Sequence, residues 1–366
     1  MAEPVFPDEL VGDGPATWDV TGELPPDLLR KLGSMGLLCA EVPARFGGLG
    51  VSSVDNGELT AHVGRLCSSL RSIMTSHGIA ATAVRRFGDR EQRRHYLGEL
   101  TGGKLAAVGF SEPGAGSDLA AMTTRIEAQG EEVVVTGEKR WVTASRYADY
   151  LLVLGRHGDD AAAVMVPADA PGVTIEPVPQ PMGCRAAGHA RLVFDGVRLP
   201  VSTVLGGGRQ SLSLLFTTAL SYGRMSVAWG CAGIVRACLD AAATQAATRE
   251  QSGKPLGEHQ LVAGHLADLY VAEQTVTQVC RHASEQWDAG SPDQAVAAVL
   301  AKHVAATQAA QAAAKAMQVL ASWGANDGHV VARAYRDTKL MEIIEGSNEI
   351  SRLVLARHAL DRVAHP

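Results

Sequence analysis

The spacing of apolar positions changes period twice along the chain. From the N-terminus to about residue 104 it is helical. The stretch PPDLLRKLGSMGLL (25–38) opens on a proline pair and then repeats apolar residues at helical spacing, which predicts a helix with a proline start. FGGLG (46–50) is a glycine-rich break. Helices are predicted around Asp55–Cys67 and Ser69–Phe87, and another begins at Asp89 and carries REQRRHYLGEL. Between about 105 and 206 the pattern becomes short and β-rich. EEVVVTGEKRWVT, YLLVLGRHGDDAAAVMVP, GVTIEPVPQP and ARLVFDGVRLP read as strands, with Thr-Gly, Gly-Asp-Asp and Asp-Gly as hairpin signals. With no helix between them, these strands predict an antiparallel sheet or barrel. From 207 to 366 the chain is Ala-rich and nearly free of proline. MSVAWGCAGIVRACLDAAATQAATRE and QAVAAVLAKHVAATQAAQAAAKAMQVLAS predict long helices of a bundle, broken at Gly253-Lys254-Pro255 and Gly290-Ser291-Pro292.

The expected fold is therefore α+β in three domains: helical over 1–104, β over 105–206, and a helical bundle over 207–366. That order excludes Rossmann and TIM architectures. GAGSDL (114–119) accordingly lacks a complete dinucleotide fingerprint, because Leu119 stands where the third glycine belongs.

Composition removes whole function classes. The 366 residues carry a formal net charge of -6, which argues against a nucleic-acid surface. Hydrophobic residues make up 46%, too many for a disordered chain. The longest uncharged run, between Arg209 and Arg224, contains Gln, Ser and Thr and is too short to span a membrane. The first residues, MAEPVFPDEL, do not read as a signal peptide, so a cytoplasmic protein is expected. Six cysteines at Cys39, Cys67, Cys184, Cys231, Cys238 and Cys280 form no C-x-x-C pair, and no H-E-x-x-H is present. Reduced thiols and no metal are expected.

Three segments carry candidate chemistry. Gly109–Asp118 (GFSEPGAGSD) joins the helical and β zones. Pro113, Gly114 and Gly116 open its backbone to a ligand, and Ser111 and Ser117 add hydroxyls. An ordinary helix-to-strand turn reads the same segment equally simply. Lys139–Ser145 sits on a strand that would send Trp141 and Thr143 to one face, and Arg140 and Val142 to the other. An indole beside a hydroxyl suits a flat cofactor, or a Trp simply covers a barrel end. In Arg333–Arg352, Glu345 follows Ile343 and Ile344 and ends a helix at Gly346. A partly desolvated carboxylate there has the raised pKa of a general base. A surface helix-end glutamate is the plainer reading. Ser347 or Asn348 is placed to cap the following helix.

Taken in order, these segments resemble the acyl-CoA dehydrogenase family over essentially the whole chain. SEPGAGSD (111–118) is similar to its T-E-P-x-A-G-S-D motif, and VTGEKRWVTASRYADYLLVLGR (135–156) to N-G-x-K-x-W-I-T-N-x-x-x-A-D. MGCRAAGHARLVFDGVRLP (182–200) resembles its M-G-x-R-x-S stretch. TREQSGKPLGEHQLVAGHLADL (248–269) resembles R-x-x-F-G-K-P followed by Q and L-A-D. RDTKLMEIIEGSNEISRLVLAR (336–357) resembles its R-D-A-K and E-G-T segment. The resemblance implies an N-terminal helical domain, a middle antiparallel β-domain and a C-terminal four-helix bundle. It implies FAD shared across subunits of a homodimer or homotetramer, and an acyl thioester substrate on CoA or an acyl carrier protein. It leaves the electron acceptor open.

By motif position, Phe110 and Ser111 would meet the isoalloxazine, with Gly116 in the same loop. Ser117 would reach the diphosphate or the substrate's pantetheine, and Trp141 and Thr143 would flank the reactive edge. Arg249 and Gln251 would reach the partner's FAD; Gln318, Ser347 and Glu349 would line the adenosine part. Ser117, Arg224 and Gly346 would face the substrate, and Glu345 would be the catalytic base. One branch of the family carries its base just before Arg224, where this chain has Gly223. Ser252 replaces the usual Phe of R-x-x-F-G, and the G-G-x-G-Y turn reads Ala321-Ser-Trp-Gly-Ala325. Overall similarity within the family is to the acyl-carrier-protein dehydrogenases of polyketide extender-unit (hydroxymalonyl and methoxymalonyl) biosynthesis. These act on a three-carbon hydroxyacyl or semialdehyde group. A short-chain acyl-CoA dehydrogenase of catabolism, a flavin oxidase or monooxygenase, and a non-catalytic interaction protein are the alternatives.

Overall fold

The computed structural model describes residues 5–208 and 210–364, and within them every side chain but that of Leu212. Met1–Pro4, Arg209 and His365–Pro366 lie outside the described residues. Five helices come first: α1 (Gly14–Thr21), α2 (Pro26–Ser34), α3 (Ser53–Leu66), α4 (Ser68–Phe87) and α5 (Arg90–Thr101). Their boundaries follow local chemistry. Pro25 precedes α2 in extended conformation, Ser52 caps α3 through Asp55 N, and Asp89 and Gln92 close a reciprocal capping box on α5.

Seven strands follow: β1 (Ala106–Gly109), β2 (Arg125–Gln129), β3 (Glu132–Val142), β4 (Tyr150–His157), β5 (Asp160–Pro167), β6 (Val173–Pro177) and β7 (Ala190–Pro200). The sheet runs β1-β4-β2-β3-β7-β6, with β5 paired to β4. It departs from the all-antiparallel expectation, because β1 runs parallel to β4 and β2 touches β4 in parallel at Arg125 and Arg156. The cause is connectivity. The long β2–β3 excursion separates β1 from β4, and a parallel pair needs such a crossover.

Only one of the three hairpin signals makes a turn: Gly158 lies in the tight β4–β5 connection. Thr136-Gly137 and Asp195-Gly196 lie inside β3 and β7, which pair with each other. Between Val135↔Val197 and Gly137↔Phe194 one β3 residue opposes two of β7. Gly196 sits at φ 60 in that bulge, so the dipeptide bends a strand rather than reversing it. The β2–β3 turn falls at Gly130 and Glu131 instead.

The C-terminal part holds three long helices, α6 (Leu212–Thr248), α7 (Gln260–Asp288) and α8 (Gln294–Leu320), and two shorter ones, α9 (Val330–Met341) and α10 (Asn348–Ala364). Alanines at 297, 298, 301, 305, 306, 309, 312, 313 and 316 form the buried face of α8 and let it lie close against α6. Among the described residues α6 alone is apolar and long enough to cross a membrane, and most of it is buried inside the protein. All six cysteines are free and buried. Among the described residues no group of His, Cys, Asp and Glu is placed to hold a metal ion.

Candidate active site

Where α4, β1, β3, α6 and the segment after α9 converge, they leave a cavity of about 230 Å³. Its wall includes Phe110, Ser111, Gly116, Ser117, Trp141, Thr143, Arg224, Glu345 and Gly346, so nine of the residues singled out from the sequence meet in one place. The remaining five lie outside this lining. Arg249 follows α6, and Gln251 lies on a short exposed hairpin where Ser252 has φ 51. Gln318 and Glu349 are exposed on α8 and α10. Ser347 is half-buried and its Oγ accepts from Ile350 N at 3.4 Å, capping α10.

Two local readings need correction. Glu345 does not end a helix. α9 stops at Met341, and the turn after it carries Glu345 at φ 55, a left-handed backbone that a non-glycine residue adopts at a cost. Trp141 and Thr143 do not share a strand face by simple alternation either. The β3–β7 register slips between Lys139 and Val142, Trp141 takes φ 55, and β3 ends at Val142. The slip leaves Arg140 exposed and Val142 buried, and it turns the Trp141 indole outward, 56% exposed. Ala321, at the position of a family glycine, holds φ 52 and ψ -133, a geometry better suited to glycine.

The loop 110–117 is fastened from below. Lys139 Nζ donates to Glu112 Oε1 at 2.7 Å and to Phe110 O at 3.3 Å. Glu112 also accepts from the backbone and hydroxyls of Thr123 and Thr124. Burial pushes the Glu112 carboxyl up, but Lys139 and the threonines outweigh it and hold it down at about 2. Burial lowers Lys139 to about 8, so both groups are charged at neutral pH. Above this knot, ideal Cβ atoms on Gly114 and Gly116 would meet nothing within 4 Å, which leaves the loop open to a ligand.

Glu345 is placed by three neighbours. Arg224 Nε donates to its carbonyl at 3.0 Å. Lys302, fully buried on α8, donates to Gly346 O at 2.8 Å and Glu342 O at 3.3 Å. Gly223 lies against the carboxylate, and a Cβ there would sit 2.6 Å from Glu345 Cδ and overlap Oε2. The Glu345 Oε2 atom is buried with no hydrogen-bond partner. Burial pushes its carboxyl up to about 7, against the pull of Arg224, Lys302 and Arg71. This is a proton acceptor tuned near neutrality. Gly223→Ala is expected to displace the carboxylate and lower turnover by about 10-fold or more, while bound flavin stays near wild type. Turnover together with flavin absorbance per protein checks it.

The sequence reading missed other residues of the lining. Arg71, Ser72, Thr75 and Ser76 project from α4 into the cavity, and His189 flanks Trp141 with ring centroids 5.8 Å apart. Thr143 Oγ1 and His189 Nδ1 are 3.2 Å apart, and Ser76 Oγ donates to Thr143 O. Burial, then the charge of Arg71, lowers His189 to about 4, so the ring is neutral at pH 7. A signal was present: polar residues at 71, 72, 75 and 76 recur at helical spacing on one side of α4.

These features fit a flavin. The exposed indole of Trp141 offers a flat wall, Ser111 and Ser117 offer hydroxyls on an open glycine loop, and His189 Nε2 and Glu345 Oε2 are buried polar atoms without protein partners. In such an arrangement Phe110, Ser111, Trp141 and Thr143 would hold the ring system, with Glu345 in the same lining.

The sequence matches three family models: the acyl-CoA dehydrogenase N-terminal domain over residues 6–104, the middle domain over 107–197 and the C-terminal domain over 214–360. The solved structure of FkbI, described as acting in biosynthesis of the methoxymalonyl extender unit of the FK520 polyketide immunosuppressant, is 60% identical. It superposes with a TM-score of 0.93 over 96% of this chain and 98% of FkbI. A probable acyl-CoA dehydrogenase, YngJ, of Bacillus subtilis (strain 168) is 34% identical over 350 residues, covering 93% of this chain and 92% of the relative. A glutaryl-CoA dehydrogenase from Mycobacterium smegmatis, solved in complex with FADH2, is 25% identical with a TM-score of 0.89 over 96% of this chain and 94% of its own.

Proposed function

The chain belongs to the acyl-CoA dehydrogenase family of FAD-dependent oxidoreductases, and we propose that it oxidises a small hydroxyacyl or semialdehyde group carried on an acyl carrier protein. The observation that carries this reading is the character of the cavity wall. The lining that holds Glu345 also holds Arg71, Ser72, Thr75 and Ser76, polar groups that suit an oxygenated acyl group better than a hydrocarbon chain. The 60% identity to FkbI supports the same substrate class.

The protein's share of the chemistry follows from the geometry. When bound, FAD supplies the acceptor for the hydride that leaves the substrate carbon. Glu345 takes the accompanying proton onto Oε2, the buried oxygen that has no other partner. Arg224 and Lys302 hold the backbone on either side of that carboxylate, so the base does not reorganise as charge moves. Gly346 and Ser117, in the same lining, are assigned to the thioester and the pantetheine arm. Phe110, packed against Phe216 with ring centroids 5.8 Å apart, helps keep water out. Arg249, Gln251, Gln318, Ser347 and Glu349 are assigned to the nucleotide end of FAD. Arg249, Gln251, Gln318 and Glu349 are exposed, as service to a neighbouring subunit of a homodimer or homotetramer requires. A carrier-protein substrate is consistent with work in the cytoplasm.

Anaerobic bleaching of the flavin band decides the substrate. A three-carbon hydroxyacyl or semialdehyde group on a carrier protein is expected to bleach it at least about 10-fold faster than butyryl-CoA does, as expected when the cavity discriminates by about 1.4 kcal/mol or more. The reverse order would assign a catabolic short-chain dehydrogenase instead.

A further inference from the structure

Arg71 is only 1% exposed, yet it lines the cavity. Its place is built for a guanidinium. On α6, a Cβ at Gly230 would lie 2.6 Å from Arg71 Cδ and 2.7 Å from Nε, so glycine there makes the room. Nη1 donates to Thr75 Oγ1 at 3.1 Å, and Nη2 meets Met341 Sδ at 2.9 Å. A guanidinium has five N–H donors, and a thioether is a weak acceptor. Nε has no partner, and among the described residues no carboxylate forms an ion pair with Arg71. A buried cation left so underused is costly, and a pocket for a hydrocarbon chain would gain nothing from it. Beside it, Thr75 Oγ1 lies 2.7 Å from Ser226 Oγ, and Ser72 adds another hydroxyl to the wall.

We propose that Arg71, with Thr75, is the specificity-determining anchor for acyl groups whose far carbon carries acceptor oxygens, an aldehyde or a carboxylate at C3. This rests on the acyl-thioester reading above and narrows it. Arg71, which would hold C3, and Glu345, the base, open onto the same cavity. Planar, forked donors match a carboxylate in two parallel hydrogen bonds, which a methyl terminus forfeits. The electrostatics agree, since the Glu345 carboxyl and His189 both feel the Arg71 charge.

The test is equilibrium binding to the flavin-loaded enzyme of two thioesters that do not reduce the flavin, malonyl-CoA and crotonyl-CoA, read by calorimetry and by the flavin spectrum. Wild type is expected to bind malonyl-CoA at least about 10-fold more tightly than crotonyl-CoA, and Arg71→Met to weaken malonyl-CoA by about 10- to 100-fold while crotonyl-CoA stays within about 3-fold. Arg71→Lys is expected to fall between. Equal losses for both thioesters, or an unchanged ratio, would overturn the proposal. Removing an uncompensated buried cation should leave the melting temperature equal or higher. If Arg71→Met nevertheless loses flavin, Thr75→Val reads the same ratio and is expected to lower it about 3- to 10-fold. An unchanged ratio in Thr75→Val would then overturn the proposal. Malonyl on CoA against malonyl on carrier protein is a separate comparison. Equal binding of the two contradicts the carrier reading and leaves the Arg71 assignment standing.

Discussion

Glu345→Gln is expected to slow anaerobic flavin bleaching by about 10²- to 10⁴-fold, with flavin content unchanged. Glutamine keeps the shape and the cavity but cannot take a proton. Among the described residues no second carboxylate lines the cavity, so no other carboxylate can take its place. The position open to an alternative base, Gly223, carries no side chain and lies against Glu345 itself. Retention of wild-type bleaching rates in Glu345→Gln would remove the base assignment outright. A loss of flavin along with the rate would instead mean that the carboxylate shapes the cofactor site.

The same residue gives the enzyme a pH signature. With its carboxyl pushed up to about 7 by burial, the proton-accepting form appears only as pH rises through that value. The kcat/KM for flavin reduction should therefore climb from pH 5 and level off above about pH 7. Stability runs the other way. The folded value lies above the unfolded value of about 4.3, so the fold is unpenalised below that pH, loses stability as pH rises from there to about 7, and levels off above it. Glu345→Gln abolishes that loss. Its melting temperature should match wild type at about pH 4 and exceed it at pH 8, and a constant offset at both would contradict the linkage.

How much of this was legible beforehand depends on the scale of the signal. The helical and β zones were readable because periodicity is a property of many residues, and the capped start of α5 at Asp89 was readable because capping is local. Thr136-Gly137 and Asp195-Gly196 misled for the same reason. Their dipeptide chemistry suits a turn, but pairing of β3 with β7, decided far along the chain, turned them into a bulge. Glu345 was identified by its motif, while the left-handed backbone that aims it was not, since that depends on Arg224 and Lys302 from two other helices. Arg71 stood in plain sight as part of a polar stripe. Nothing in its neighbours along the chain said that the stripe faced a cavity, because Gly230 and Met341, which shape its pocket, are remote in sequence.

Lys139→Met is expected to be the most destabilising single change around the site. The side chains of Lys139 and Glu112 are 0% and 2% exposed, and Glu112 has one charged partner, Lys139, with the rest of its hydrogen bonds from Thr123 and Thr124. Removing the ammonium leaves a carboxylate buried without a counter-charge, which costs about 3–5 kcal/mol. A melting temperature lower by at least about 5 °C is the expected reading. The damage should also reach the cofactor, because Lys139 tethers Phe110 O and Glu112 ties the loop 110–117 to Thr123 and Thr124. Weaker retention of FAD on dilution should therefore accompany the lower melting temperature. The double change Glu112→Gln with Lys139→Met separates the two effects. It removes the stranded charge, so it should recover much of the melting temperature, a coupling that a purely steric defect at Lys139 would not produce. FAD retention should stay below wild type, since Phe110 O has lost its donor and glutamine accepts less strongly from the two threonines. If the double variant is as unstable as the sum of the single changes, the ion pair is not what holds the flavin loop.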